Sequence, residues 1–169
     1  MAIVLGSVVS GTRSAAVPGY NRAMASYEKR TWWTQHGLSK RLTDETFLEA
    51  AVTTAFLIAA ADGNASEQEY DALLDRLELL GGVERDRIDE VLTAVSNDVE
   101  ANGFERSIAR VAELVGDRAS AEAALMLGLA IGLADNEFST EEREVATQLA
   151  TALSVPAAEL DAWVAVIRG

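Results

Sequence analysis

Residues 44–61 read DETFLEAAVTTAFLIAAA and lead directly into DGNASEQE at 62–69. In the first stretch Phe47, Leu48, Ala51, Val52, Ala55, Phe56 and Ala59 recur at helical spacing, and polar residues disappear towards its end. A helix with so little polar surface is expected to run through the centre of the molecule rather than along its outside. In the second stretch Ser66 and Glu69 stand in the Ser-x-x-Glu order that opens a helix. A buried helix, a short acidic loop and a capped second helix are thus predicted within 26 residues.

Outward from this unit, further helices follow with clear stop signals. The helix opened by Ser66 is expected to reach Leu80 through Leu73, Leu74 and Leu77, and Gly81-Gly82 ends it. Another is predicted over roughly Glu84–Glu100 on Ile88, Val91, Leu92, Val95 and Val99, closed by Asn102-Gly103. Phe104–Val115 follows with Ile108, Val111, Ala112 and Val115 inward. Residues 120–134 form a second strongly apolar helix, Ser139 starts one to about Ala152, and Ser154 with Pro156 starts the last, carrying Leu160, Trp163, Val164 and Ile167.

The pattern repeats. An offset of 73 sets Asp62 on Asp135, Ala61 on Ala134, Ser66 on Ser139, Glu69 on Glu142 and Leu80 on Leu153. With one residue lost in the turn, Ile88, Val91 and Val95 then match Leu160, Trp163 and Ile167. The expected architecture is all-α: a helical bundle of two pseudo-symmetric three-helix units joined by a linking helix, occupying residues 43–169. Neither unit can bury its apolar surface alone, so the two should pack face to face.

Both matching loops contain A-D-x-x-x-S-x-x-E. Half of this is explained by capping, in which the Ser66 or Ser139 hydroxyl accepts from the backbone N–H of Glu69 or Glu142 and the glutamate returns the bond. The aspartates are not so explained. Asp62 and Asp135 follow apolar helices whose last carbonyls already form a negative pole, where a carboxylate is disfavoured. Either the next helix's amino end or a bound cation can supply the compensating charge. The loops are not EF-hands, because Glu67 and Thr140 stand where that loop needs glycine, and Leu73 and Ala146 stand where it needs a bidentate glutamate.

Two copies of a helix ending in Ala-Asp, a short loop and Ser-x-x-Glu resemble the tellurite-resistance TerB-like family, over about residues 44–167. The resemblance implies an internally duplicated helical fold, a non-enzymatic role in tellurite resistance and related stress responses, and membrane-associated partners. A related domain occurs in a DnaJ-type co-chaperone. Metal binding is implied at Asp62 and Glu69 in the first loop and Asp135 and Glu142 in the second, with Asn64 and Glu137 as helpers. The second loop departs from the pattern by having Asn136 where glycine is usual. The oxygen-only ligand set favours Ca²⁺ over Mg²⁺ and Zn²⁺.

The rest of the composition narrows the choices. The chain has no cysteine and one histidine, His36, so thiolate metal sites, disulfides and cysteine nucleophiles are excluded. His36 is read as a helix C-terminal cap and not as a catalytic group, and no catalytic residue is assigned. No phosphate loop, nucleophile–base pair or nucleic-acid module is present. Residues 1–41 carry a net charge of +5 and the remainder −18, so the body repels nucleic acid while the first segment suits an acidic partner or membrane surface.

Residues 1–42 are read as a basic, aromatic N-terminal arm, extended over Ile3–Val9 and helical after Pro18. Trp32 and Trp33, beside Lys29, Arg30, Lys40 and Arg41, suit docking onto a protein partner, onto the body, or peripherally onto a membrane. The apolar start has no basic residue before it and makes a poor secretory signal, and no stretch approaches the ~20 apolar residues of a span. A cytoplasmic location is the expectation. The competing functional reading is a metal-free helical scaffold or adaptor whose arm docks onto a protein partner.

Overall fold

The computed structural model describes residues 37–63, 66–132 and 138–168. Its helices are α1 Leu38–Arg41, α2 Glu45–Ala59, α3 Glu67–Gly81, α4 Arg85–Leu114, α5 Arg118–Gly132, α6 Thr140–Ala152 and α7 Ala157–Arg168. There is no strand among the described residues, as the all-α reading requires. The expectations for Ile3–Val9, for the helix after Pro18, and for Trp32, Trp33 and His36 lie outside the described residues.

Asp44 caps α2 by accepting the Phe47 amide at 2.9 Å. From Phe47 to Ile58 every residue of α2 is buried except Glu49, which is half-buried. The helix is therefore sheathed on all sides, as its loss of polar residues predicts. Two hydroxyls go into the core with it. Thr53 and Thr54 donate to the carbonyls of Glu49 and Ala50 at 2.7 and 2.8 Å, so neither is left without a partner.

The second apolar helix repeats the device. Asp117 accepts the Ser120 amide at 2.9 Å and caps α5, and Ala123–Leu129 are all buried. Glu45–Ala59 and Arg118–Gly132 start and stop 73 positions apart, so the repeat extends upstream to the aspartate caps. The α2–α5 and α2–α4 interfaces are the most extensive among the described helices. A Cβ placed on Gly128 would lie 2.8 Å from Thr54 Cγ2, 3.0 Å from Ile58 Cδ1 and 3.4 Å from the Ala55 nitrogen. Backbone approach this close is what a glycine permits at a helix crossing.

Helix α4 is two helices in sequence. At Gly103 φ is 81° and ψ is 171°, a region open essentially only to glycine, and the chain turns a corner there. The predicted stop at Asn102-Gly103 is thus observed as a break between limbs 85–102 and 104–114. Ile88, Leu92, Val95 and Val99 of the first limb are buried, as are Ile108 and Val111 of the second.

The core also reaches back to α1. Leu38 and Leu42 are buried, each contributing roughly 1.5–3 kcal/mol by area burial. Arg41 fixes this turn by donating to Ser120 Oγ at 2.5 Å. Surface ion pairs join other elements, including Arg118 with Glu159, Arg85 with Asp75, and Arg143 with Asp161. Being exposed, such pairs are each worth only about 0–1 kcal/mol. Apolar burial, not this ionic lattice, holds the bundle.

Candidate functional site

The direction of the two central helices decides where the acidic loops lie. Arg41, three residues ahead of the α2 cap, reaches Ser120 in the first turn of α5. Towards the other end, Thr54 and Ile58 of α2 lie against Gly128 of α5. The helices therefore run in the same direction, and the ends from which both loops leave share one side of the bundle.

At the first of these ends, the chain leaves α2 through a backbone turn. The amides of Ala60, Ala61 and Gly63 donate to the carbonyls of Phe56, Ile58 and Ala60 at 2.8, 3.2 and 2.9 Å. Gly63 takes a φ of 89°, which only glycine adopts without strain. Asp62 is exposed immediately before it, and the last turn of α2 contains no basic residue. Ser66 then caps α3: its Oγ accepts the Glu69 amide at 3.2 Å, and Glu69 Oε2 accepts the Ser66 amide at 2.7 Å. The capping box read from the sequence is formed in full.

The second loop ends in the same box. Ser139 Oγ accepts the Glu142 amide at 3.0 Å, and Glu142 Oε2 accepts the Ser139 amide at 2.7 Å. Here the pair is half-buried, whereas Ser66 and Glu69 are exposed. Of the remaining candidate ligands, Asn64, Asp135 and Glu137 lie outside the described residues.

One contributor was not anticipated. Arg76, on α3, crosses to the end of α5 and donates from Nη1 to the carbonyls of Ala130 and Ile131 at 3.1 and 3.0 Å. A guanidinium is thus set against the negative pole of α5, a charge that the sequence reading sought in the next helix's amino end or in a bound cation. In the sequence Arg76 is one polar position on an amphipathic helix, and only its long-range contact distinguishes it.

The donor chemistry of Asp62, Glu69 and Glu142 suits a hard cation, but one oxygen of each glutamate already serves its cap. Among the described residues no three acidic or imidazole side chains converge on a common point. A Ca²⁺ ion takes six to eight oxygens, more than the described groups of either loop offer.

Other features lie away from these loops. An open groove of about 850 Å³ runs between the amino-terminal half of α2 and both limbs of α4, floored by Thr53, Val91 and Val95. Its rim is internally paired, Arg87 with Glu45 at 2.9 Å and Arg110 with Glu49 at 3.2 Å. Asp117 is held below the usual carboxylate range by hydrogen bonds from the Ser120 hydroxyl and amide, with Arg41 nearby. Burial chiefly raises the Tyr70 phenol, which bonds Thr93 and Asp89 across the α3–α4 pair. Among the described residues no helix is long and apolar enough to cross a membrane.

Comparison with known proteins agrees with the loops. The family model described as tellurite resistance protein TerB matches residues 48–164, more than half of the chain. No curated protein and no solved structure gives a significant match. Matched by the family model from α2 into α7 and all-helical among its described residues, the chain belongs to the TerB family.

Proposed function

We propose that this protein is a non-catalytic TerB module of a stress-response or membrane-associated assembly, and that it takes up a divalent cation at its acidic helix–loop–helix turns. Asp62 and Glu69, with Asn64, form one ligand set, and Asp135 and Glu142, with Glu137, form the other. Ca²⁺ is favoured over Mg²⁺ and Zn²⁺ by the all-oxygen donors. The observation that carries this reading is the repeated turn, in which Asp62, exposed directly behind a buried helix, precedes the Ser66–Glu69 capping box. The ends of α2 and α5 from which the two loops leave share one side of the pair, which supports a shared, cation-sensitive surface. Ala55 and Gly128 are equivalent under the 73-residue offset and adjoin each other, which supports relating the halves by a pseudo-twofold axis, where equivalent residues meet.

The test is calorimetric titration of the full chain with Ca²⁺, Mg²⁺ and Zn²⁺, repeated on Asp62→Asn and Asp135→Asn. Saturable heat that the substitutions reduce supports the proposal. Absence of both heat and thermal shift at millimolar metal overturns it.

A second reading, the metal-free adaptor, is favoured by the commitment of Glu69 and Glu142 to their capping boxes. In it the basic, aromatic first segment engages a protein partner or a membrane surface. Because Leu38 and Leu42 are core residues, the deletion that tests it must stop at residue 36. An unchanged melting temperature with loss of partner capture supports docking, and a lowered one supports packing of the segment on the body.

A further inference from the structure

Asn102-Gly103 is the only Asn-Gly pair in the chain. It stands at the corner between the two limbs of α4, where Gly103 takes a φ of 81° and a ψ of 171°. An asparagine followed by glycine can lose its amide without an enzyme, because the glycine nitrogen attacks the asparagine Cγ and no β-carbon shields that nitrogen. Within a continuous helix the reaction is suppressed, since turning the asparagine ψ far enough breaks the hydrogen-bonded ladder on both sides. Here Asn102 ends the first limb with helical angles, and the helical path stops at the next residue. Both residues are exposed, and a Cβ added to Gly103 would meet nothing within 4 Å. The corner has room to turn.

Asn102 also lines the open groove together with Asp98 and Arg106. Its Nδ2 donates to Asp98 Oδ1 at 2.7 Å, on exposed surface, where a single hydrogen bond holds the amide only weakly.

We propose that Asn102 is a self-modification site, converted in the folded protein to aspartate and isoaspartate, and that the conversion loosens the corner of α4. The Gly103 nitrogen bonds to Asn102 Cγ and gives up its proton, while the Cγ–Nδ2 bond breaks and ammonia leaves with that proton. Water then opens the cyclic imide. Attack at Cγ restores the ordinary peptide bond and leaves aspartate. Attack at the main-chain carbonyl leaves isoaspartate and adds a methylene to the backbone at the corner. Aspartate replaces the donor to Asp98 by a carboxylate four residues away, a spacing at which like charges repel.

The test keeps the full chain at physiological temperature in mildly alkaline buffer, with and without denaturing urea, and follows it by peptide mass spectrometry. Fragmentation should assign a gain of one mass unit to residue 102. The rate in the folded chain should lie within about tenfold of that in urea, a barrier raised by no more than about 1.4 kcal/mol. Asn97, exposed within the unbroken first limb and followed by Asp98, is the internal reference and should stay intact in the folded chain. Asn102→Gln, whose longer side chain closes a ring far more slowly, should abolish the change. Asn102→Asp reproduces the product's charge and should lower the melting temperature by about 1 °C, an effect that an Asp98→Asn background removes. Conversion of residue 102 in urea alone, or equal conversion of Asn97 in the folded chain, overturns the site. An Asn102→Asp variant that melts with the wild type overturns the loosening.

Discussion

Helices α2 and α5 have the same length, begin on an aspartate cap and lead towards the same Ser-x-x-Glu box, yet the protein treats them differently. The first has alanine at its crossing point and an exposed aspartate beyond its end. The second has glycine at the crossing, an arginine from another helix on its last carbonyls, and a half-buried box. The shared features are all local, set by residues within three or four positions of one another. The differences are all tertiary. The matching positions of the two halves share the devices that make helices start and stop, while the contacts they make across the fold differ.

The sharpest test of that division is the crossing itself. In a free helix Gly→Ala is favourable by about 1 kcal/mol, because glycine loses more backbone entropy. At Gly128 the new methyl would meet Thr54 Cγ2 at 2.8 Å, and Thr54 cannot easily turn away because its Oγ1 is bound to the Ala50 carbonyl. Overpacking of this kind costs about 1–3 kcal/mol, so after the helical gain Gly128→Ala should be net destabilising by up to roughly 2 kcal/mol in urea denaturation. Thr54→Ser removes the opposing methyl and keeps the hydroxyl. In that background Gly128→Ala should become neutral or favourable, a coupling of about 1 kcal/mol. Equal costs in both backgrounds would falsify the close approach.

The capping boxes come next in magnitude. Replacing an N-cap serine by alanine costs about 0.5–2 kcal/mol. The Ser139 bond is shorter than that of Ser66, 3.0 against 3.2 Å, and sits in a half-buried site. Ser139→Ala should therefore fall in the upper part of that range and Ser66→Ala in the lower. Denaturation midpoints at constant slope would measure the difference, and a larger loss for Ser66→Ala would reverse this account of the two loops.

What was legible in the sequence follows the same line between local and tertiary. Phe47 through Ile58 announce a buried helix by their composition, and both boxes announce themselves by spacing, because a cap is a contact between residues three apart. The break at Gly103 was legible for a similar reason. Leu38 and Leu42 were not, since a four-residue helix is too short to display a period. Arg76 was not, because a lone arginine on a polar stripe has the same pattern whether it meets water or a neighbouring helix. Gly128 was not, because a glycine inside an apolar run has the same pattern whether or not another helix passes it.

The smallest expected effect concerns the two aspartate caps, and it can be seen one residue at a time. Asp44 and Asp117 each accept an amide at 2.9 Å, but Asp117 also receives the Ser120 hydroxyl at 2.7 Å, where the first half has Phe47. The Ser120 bonds stabilise the ionised form and hold the Asp117 carboxyl below its ordinary range, with Arg41 adding to this. A carboxylate depressed in the folded state contributes stability above its unfolded pKa of about 3.9, and that contribution fades as pH falls through the lower folded value. Asp117 is exposed, so solvent screening keeps the effect on global stability small. The carboxyl resonance is the better observable. In the wild type its titration should fall at lower pH than an ordinary aspartate, and Ser120→Ala should move it upward because the hydroxyl donor is lost while the backbone donor remains. Were the midpoint unmoved by Ser120→Ala, the depression would have to come from the amides and Arg41, and the side-chain difference between the caps would carry no electrostatic consequence.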